Sequence, residues 1–279
     1  MPPRRLRLDA ELVRRGLARS REHAAELIAA ERVTVQGVLA RKPATGVTTD
    51  VALVVKEDAE RPDYVSRGGH KLAGALDAFG TVGLVVEGRR CLDAGASTGG
   101  FTDVLLRRGA REVLAVDVGY GQLAWSLRND ARVVVHDRTN IRALEPATVG
   151  EPVDLVVGDL SFISLRLVLD ALMSVTAPDG DLALMVKPQF EVGKERVGKG
   201  GVVRDLDLRA EAVLDVAGAA HDRGWGTRAA TTSPLPGPSG NVEFFLWLRR
   251  GAPPIETDLV HSLVRGDDPL RVAGEKVRP

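Results

Sequence analysis

The chain has 279 residues, 44% of them hydrophobic and 27% charged, with 38 basic side chains balanced by 38 acidic ones. That length suits one large domain or two unequal ones, and the apolar fraction suffices for a real core. No apolar run approaches the ~20 residues of a membrane helix, and the basic N-terminus lacks the apolar segment of a secretory signal. The single cysteine, Cys91, excludes internal disulfides and cysteine-based zinc sites. A cytoplasmic monomer is the default expectation, and the five scattered histidines suggest no metal site.

Zero net charge argues against nucleic acid, but the distribution of charge matters more. Residues 1–21 hold seven arginines (Arg4, Arg5, Arg7, Arg14, Arg15, Arg19 and Arg21) against Asp9 and Glu11. Such an excess could follow a phosphate backbone. A solvated helix face explains the same pattern, and charge alone does not decide. Asp9 is expected to cap a helix carrying Leu12, Val13 and Leu17, with Gly16 near its end; Ser20 is expected to cap a second, carrying Ala24, Leu27 and Ile28. Alternation at Val33 and Val35, a turn at Gly37 and alternation at Val51, Leu53 and Val55 predict a small sheet. Residues 1–60 therefore read as a small α+β domain. The polar, proline-bearing stretch around 57–64 marks a linker, set at 61–66.

From about residue 85 strands and helices alternate. The predicted strands are Arg90–Asp93, Val113–Asp117, Val133–Val135, Val153–Val157, Leu182–Lys187, Ala229–Thr232 and Val242–Leu248. The predicted helices are Phe101–Arg108, Leu123–Arg128, Leu165–Met173 and Leu208–His221. This is an α/β pattern, a mostly parallel sheet covered on both faces. Only the loop Ser233–Asn241 separates the last two strands, so the final strand is expected to run antiparallel. The large domain is set at 67–250. The charged, proline-rich tail 251–279 suggests a last short helix or a disordered segment.

The clearest motif is Leu92-Asp93-Ala94-Gly95-Ala96-Ser97-Thr98-Gly99-Gly100-Phe101, which follows one strand and opens a helix. Glycines let the backbone pass close to a ligand, and ligands of open α/β sheets sit at the carboxyl ends of the strands. A phosphate loop would need Lys-Ser/Thr after the glycines, where Phe101-Thr102 stands, and the dinucleotide spacing is absent. A carboxylate at Asp93 repels a pyrophosphate but suits the ammonium of a methionine moiety. Asp117, ending the next strand, can accept both ribose hydroxyls of an adenosine. Asp137, after the third, can meet the adenine amino group. A glycine turn with a capping acid is the bland alternative. Three acids after three successive strands favour S-adenosylmethionine.

Four further polar residues stand where acid–base chemistry needs them. Asp159 follows the fourth strand, Lys187 ends the fifth, Glu243 begins the last, and Lys71 precedes the first in Ser66-Arg-Gly-Gly-His-Lys71. The first two converge on the edge that carries the glycine loop, and the other two could reach it. Methyl transfer to a ribose hydroxyl is an in-line displacement in which a poor nucleophile must lose a proton. A lysine base must be neutral; burial and neighbouring cations favour that form, whereas carboxylates oppose it. Singly, each residue also reads as an ordinary strand-end lysine or edge-strand acid. Four aromatics, Tyr64, Tyr120, Trp125 and Phe190, lie near the proposed site. Phe190 is expected to contact the target nucleotide, which must leave its stack for the chemistry; Trp125 reads equally well as core.

At these residues the chain resembles the TlyA family of bacterial rRNA 2′-O-methyltransferases, also called haemolysins. The likeness runs over about residues 5–249 and rests on Ser66–Lys71, Leu92–Phe101, Asp117-Val118-Gly-Tyr-Gly-Gln122, Asp159-Leu-Ser-Phe162, Lys187-Pro-Gln-Phe-Glu191 and Ser233-Pro-Leu-Pro-Gly-Pro-Ser-Gly-Asn-Val-Glu243. The catalytic domain of that family is similar to FtsJ-type ribose methyltransferases, whose Lys-Asp-Lys-Glu tetrad Lys71, Asp159, Lys187 and Glu243 match. The resemblance implies a Rossmann-like class I methyltransferase: a seven-stranded, mostly parallel sheet with an antiparallel last strand. It implies S-adenosylmethionine bound by Asp93, Gly95, Ala96, Ser97, Thr98, Gly99, Gly100, Phe101, Asp117, Val118, Asp137 and Asp159. The N-terminal pattern Arg7-Leu-Asp9, Gly16-Leu-Ala-Arg-Ser-Arg21, Ala24, Leu27-Ile28, Val33 and Lys42-Pro43 is similar to the S-four RNA-binding domain. It implies RNA contacts from Arg4, Arg5, Arg7, Arg14, Arg19, Ser20, Arg21 and Lys42, joined by Arg67. The implied partners are ribosomal RNA or ribosomal subunits, with cytidines of both subunits as substrates.

Three other readings compete. A membrane-active haemolysin would need a signal, a span or a basic helix with a large apolar face, none of which the sequence offers. A degenerate RNA-binding module does not fit an intact tetrad and glycine loop. A base-nitrogen methylase would carry Asn/Asp-Pro-Pro-Tyr/Phe where Asp159-Leu-Ser-Phe162 stands.

Overall fold

The computed structural model describes residues 5–56, 63–237, 239–267 and 270–272. The chain divides into two units, 1–63 and 64–279. In the smaller unit, helices Leu8–Arg14 and Arg21–Ala29 accompany an antiparallel sheet of Val33–Val35, Val38–Leu39 and Leu53–Val55. Leu6–Arg7 pairs separately with Gly46–Val47. Leu8, Leu12, Leu27, Ile28 and Val33 fill its core. Ser20 caps the second helix as expected, its Oγ accepting the His23 N–H at 3.1 Å. Asp9 does not cap the first. That helix starts two residues earlier, with Arg7 as its cap, and the N–H groups of Leu8 and Asp9 bond the carbonyls of Thr45 and Pro43. Asp9 lies buried in the first turn instead.

In the larger unit all seven expected strands form: β1 (Arg90–Ala94), β2 (Glu112–Val116), β3 (Val133–His136), β4 (Val153–Gly158), β5 (Thr176–Val186), β6 (Trp225–Thr232) and β7 (Phe244–Arg250). An eighth, β8 (Leu270–Val272), pairs antiparallel with β6 at the edge. The order across the sheet is β8-β6-β7-β5-β4-β1-β2-β3. β7 runs antiparallel to both its neighbours, β5 and β6. The central strands alternate between two cores, which is why their sequence is almost continuously apolar. Leu92, Leu114, Val156, Leu182 and Leu246 face one core; Cys91, Val113, Val157, Ala183 and Phe245 face the other.

Helices cover both faces. α1 (Arg67–Gly80) and α2 (Gly100–Arg107) cover one; α3 (Leu169–Ser174), α4 (Leu206–His221) and α5 (Thr257–Arg265) the other. α1 was not among the predicted helices. It buries Leu72, Ala75, Leu76 and Phe79 at helical spacing, but its Arg-Gly-Gly-His start conceals it. The predicted helix 165–173 splits at Val168, whose φ of −121° is not helical, into a 3₁₀ turn Leu165–Leu167 and α3. The predicted helix 123–128 shrinks to Trp125–Arg128. In the C-terminal segment α5 buries Leu259, Val260, Leu263 and Val264.

Candidate active site

Parallel strands end together, so residues that follow them gather along one edge. Asp93 is the penultimate residue of β1, and Asp117, Asp137, Asp159 and Lys187 directly follow β2, β3, β4 and β5. Glu243 directly precedes β7. Because β7 is antiparallel, its start lies at the same edge: Val186 pairs with Phe244, so Lys187 and Glu243 leave the sheet side by side. Lys71 reaches them from the second turn of α1.

These four form two ion pairs. Lys71 Nζ lies 2.5 Å from Glu243 Oε2, with side-chain exposures of only 10% and 1%. Lys187 Nζ lies 2.5 Å from Asp159 Oδ1. It also donates to Ser161 Oγ at 2.8 Å. Gln189 Nε2 donates to Glu243 Oε1 at 3.4 Å. A cavity of about 290 Å³ is lined by Arg67, Gly68, Lys71, Asp159, Ser161 and Lys187, among others. The tetrad suggested by the sequence is thus brought together, with Glu243 beneath Lys71.

A second cavity, of about 450 Å³, shares Gly95, Ser97, Asp159 and Ser161 with the first and extends past Asp117, Val118, Asn140 and Ile141. A smaller crevice beside them is lined by Ala96, Thr98, Gly100 and Phe101. Gly95 has φ +86°, and a Cβ there would meet the Asp159 carbonyl at 3.0 Å, so a side chain would be strained as well as crowded. At Gly100 a Cβ would meet Ser66 Oγ at 2.2 Å and the Gly69 nitrogen at 2.7 Å. Gly99 serves as the left-handed N-cap of α2, and Phe101 is largely core, 6.0 Å from Phe245.

Asp93 is fully buried. Its Oδ2 accepts from Thr102 Oγ1 at 2.7 Å, while Oδ1 has no hydrogen-bond partner. Burial, helped by the charges of Asp159 and Asp117, pushes its carboxyl up to about 7. A buried carboxylate oxygen with no donor is a costly feature unless a ligand supplies one. Asp117 accepts the Ser97 and Gly119 N–H groups at 2.8 and 2.7 Å, which fixes it at the cavity wall with lone pairs to spare. Asp137 does not join that wall. Its carboxylate turns to Arg128 at 2.6 Å, and Asn140 and Ile141 take the place the sequence had suggested for it.

Phe190 is near the tetrad, its ring centre 5.9 Å from Lys187 Nζ. It packs 5.2 Å from Phe162, which is 91% exposed with φ +64°. Trp125, 78% exposed, is not core. Sequence reasoning passed over Ser161 and Glu191. Glu191 is buried and binds Ser164 Oγ at 2.5 Å and the Leu165 N–H at 2.8 Å, joining the loop after β4 to the turn after β5. Only the family motifs containing these residues hinted at them.

The arginine cluster of the smaller unit is built on its two acids. Asp9 binds Arg7 at 2.8 Å and Arg21 at 3.0 Å; Glu11 binds Arg14 at 2.6 Å and Arg15 at 2.7 Å. The guanidinium partners hold both carboxyls down at about 2. Arg7, Arg14 and Arg21 remain at least half exposed. Arg5 and Lys42 are exposed, Arg19 donates its N–H to His23, and Arg4 lies outside the described residues.

The profile of the FtsJ-like methyltransferase family matches residues 64–250. The chain is 64% identical over 246 residues, 88% of its length and 90% of the other, to the 16S/23S rRNA (cytidine-2′-O)-methyltransferase TlyA of Mycobacterium tuberculosis. The chain belongs to the TlyA family. The S4 domain profile matches residues 6–52, within the smaller unit. Hemolysin A of Brachyspira hyodysenteriae is 36% identical over 240 residues, 86% of this chain and 98% of that one. The solved structure of a putative hemolysin from Streptococcus thermophilus, 37% identical, superposes over 94% of each chain with a TM-score of 0.70. Among the described residues of this TlyA-family chain, no helix is long and apolar enough to cross a membrane, and no His/Cys/Asp/Glu group could hold a metal ion.

Proposed function

We propose that the protein methylates the ribose 2′-hydroxyl of cytidines in ribosomal RNA, in the cytoplasm, with S-adenosylmethionine as donor. The observation that carries this reading is the pair of lysine–carboxylate contacts, Lys71–Glu243 and Lys187–Asp159, beside a cavity that shares Gly95, Ser97, Asp159 and Ser161 with the larger one lined by Asp117. The donor, when bound, supplies a methyl group on a positively charged sulfur, open to in-line attack. The residues fit it in this way: Asp93 Oδ1 is a buried acceptor without a donor, although Asp93 itself lines none of the three cavities, and Asp117, on the wall of the larger one, would accept ribose hydroxyls. Lys187 would take the proton of the target hydroxyl, oriented by Asp159. Lys71, fixed by Glu243, would supply a positive field at the oxygen that becomes nucleophilic. Nucleoside analysis of ribosomal RNA treated with the protein and donor tests the reading. The expected product is 2′-O-methylcytidine; a base-methylated nucleoside would overturn it.

The Asp93 carboxyl sets a pH dependence. Its raised value, about 7, means that it is protonated at lower pH and offers no charge to an ammonium. Donor affinity, measured by calorimetry, is expected to weaken as pH falls below about 7, by up to about tenfold per unit. Asp93→Asn should bind weakly with a flat profile. A wild-type affinity unchanged down to pH 5 would contradict the assignment.

The smaller unit would grip RNA through the arginines that Asp9 and Glu11 hold in place. Asp9→Asn keeps the shape but releases two guanidinium groups at once. RNA affinity is expected to fall about three- to tenfold, with a modest fall in the unfolding midpoint because the paired carboxylate also stabilises the fold. Unaltered RNA binding across a salt series would assign the cluster to folding alone.

A further inference from the structure

Ser161 has no assigned part in the chemistry, yet its hydroxyl accepts a hydrogen bond from the Lys187 ammonium, Nζ to Oγ at 2.8 Å. Asp159 Oδ1 lies 2.5 Å from the nitrogen as its charge partner but does not accept a hydrogen bond from it. The rest of the surroundings is defined as well. The Phe190 ring stands 5.9 Å away, and the lysine lines the 290 Å³ cavity together with Arg67 and Lys71. Around a tetrahedral nitrogen bonded to its own carbon, three positions remain. Ser161 Oγ takes one of them by a hydrogen bond, Asp159 Oδ1 stands close as the charge partner without making one, and the lysine borders the cavity.

We infer that Ser161 is a positioning residue for ribose methylation, aiming the Lys187 nitrogen at the target hydroxyl. The inference rests on the function proposed above. A neutral lysine keeps two N–H groups and one lone pair. With Ser161 as its hydrogen-bond acceptor and the Asp159 charge alongside, the amine holds its N–H groups toward these oxygens and leaves the lone pair toward the cavity. The proton of the 2′-hydroxyl then passes to that lone pair. The electrons of the O–H bond become available as the oxygen bonds the incoming methyl carbon, and the leaving sulfur keeps the pair of the bond that breaks. Asp159 alone supplies charge but leaves the amine free to rotate about its last carbon–nitrogen bond. Ser161 removes that freedom.

The position of Ser161 in the chain supports a dedicated role. It lies between Asp159 and the left-handed Phe162, in a loop anchored by Glu191 through Ser164 and Leu165. That anchoring holds the loop backbone that carries Ser161 independently of Lys187.

The test compares wild type, Ser161→Ala and Ser161→Thr on the same ribosomal substrate, with single-turnover rates and separate donor and RNA affinities. Ser161→Ala is expected to slow transfer about ten- to a hundredfold, the effect of losing one hydrogen bond to a charged group. Donor and RNA affinities should stay within about twofold, and Ser161→Thr should restore most of the rate. A normal rate in Ser161→Ala overturns the inference. So does a loss of donor affinity that accounts for the lost rate, since Ser161 also lines the larger cavity. If wild type itself leaves ribose unmethylated, the proposed function fails and this inference fails with it.

Discussion

Lys187→Met is expected to lower the rate of methyl transfer by about 10²–10⁴-fold, the usual contribution of a general base, while donor affinity stays within about twofold. The separation follows from where Lys187 sits. It lines the 290 Å³ cavity with Lys71 and Ser161, but not the larger cavity that reaches Asp117. Its partner Asp159 is 25% exposed as a side chain although its Oδ1 is buried, so the carboxylate left behind is partly hydrated and the fold should lose less stability than where both partners are enclosed. A methionine keeps the bulk of the side chain against Phe190 and removes only the amine. Single-turnover kinetics with calorimetry of donor binding checks both halves. Parallel loss of rate and donor affinity would mean that Lys187 shapes the donor site and does no proton chemistry.

Glu243→Ala should behave quite differently. Glu243 is 1% exposed and Lys71 only 10%, so truncation strands an ammonium with little water to hydrate it. Removing one partner of a buried pair costs about 3–5 kcal/mol. In a unit of this size that lowers the unfolding midpoint by roughly 10 °C. The double variant Lys71→Met/Glu243→Leu removes both charges and should recover most of the loss, because two apolar side chains of similar volume pack without a desolvated charge. It should still be inactive. A stable but inactive double variant would show that the pair serves chemistry and that neither charge is needed for folding. If the double variant were as unstable as the single one, the pair would hold the fold together instead. Thermal unfolding followed with activity on the same preparations distinguishes these outcomes.

Much of this was legible in the sequence for one topological reason. Short apolar runs ending in Asp or Lys read as strands of a parallel sheet, and such strands finish at a common edge. Asp93, Asp117, Asp159 and Lys187 could therefore be expected at one edge from the sequence alone. Glu243 was expected only to be able to reach that edge; the antiparallel register of the last strand, Val186 beside Phe244, is what brings its beginning where the others end. What the sequence could not reveal was side-chain direction. Asp137 also follows a strand, yet Arg128 draws its carboxylate away from the cavity. Asp9 sits where a cap would be read, but backbone bonds to Pro43 and Thr45 start the helix earlier. α1 was hidden because glycines at its start mask the Leu72, Leu76 and Phe79 stripe that the sheet buries. Ser161 carried no signal of its own, because a loop serine acquires meaning only when the lysine it contacts is known.

Ribose methylation by the tetrad is tested most directly by transfer of a labelled methyl group to isolated ribosomal subunits, followed by alkaline hydrolysis of the RNA. A methylated ribose blocks cleavage at its own linkage. Label is therefore expected in an alkali-resistant dinucleotide with wild type, and its loss is expected with Lys187→Met. Label released as single nucleotides would mean a methylated base and would contradict ribose chemistry at Lys71, Asp159, Lys187 and Glu243.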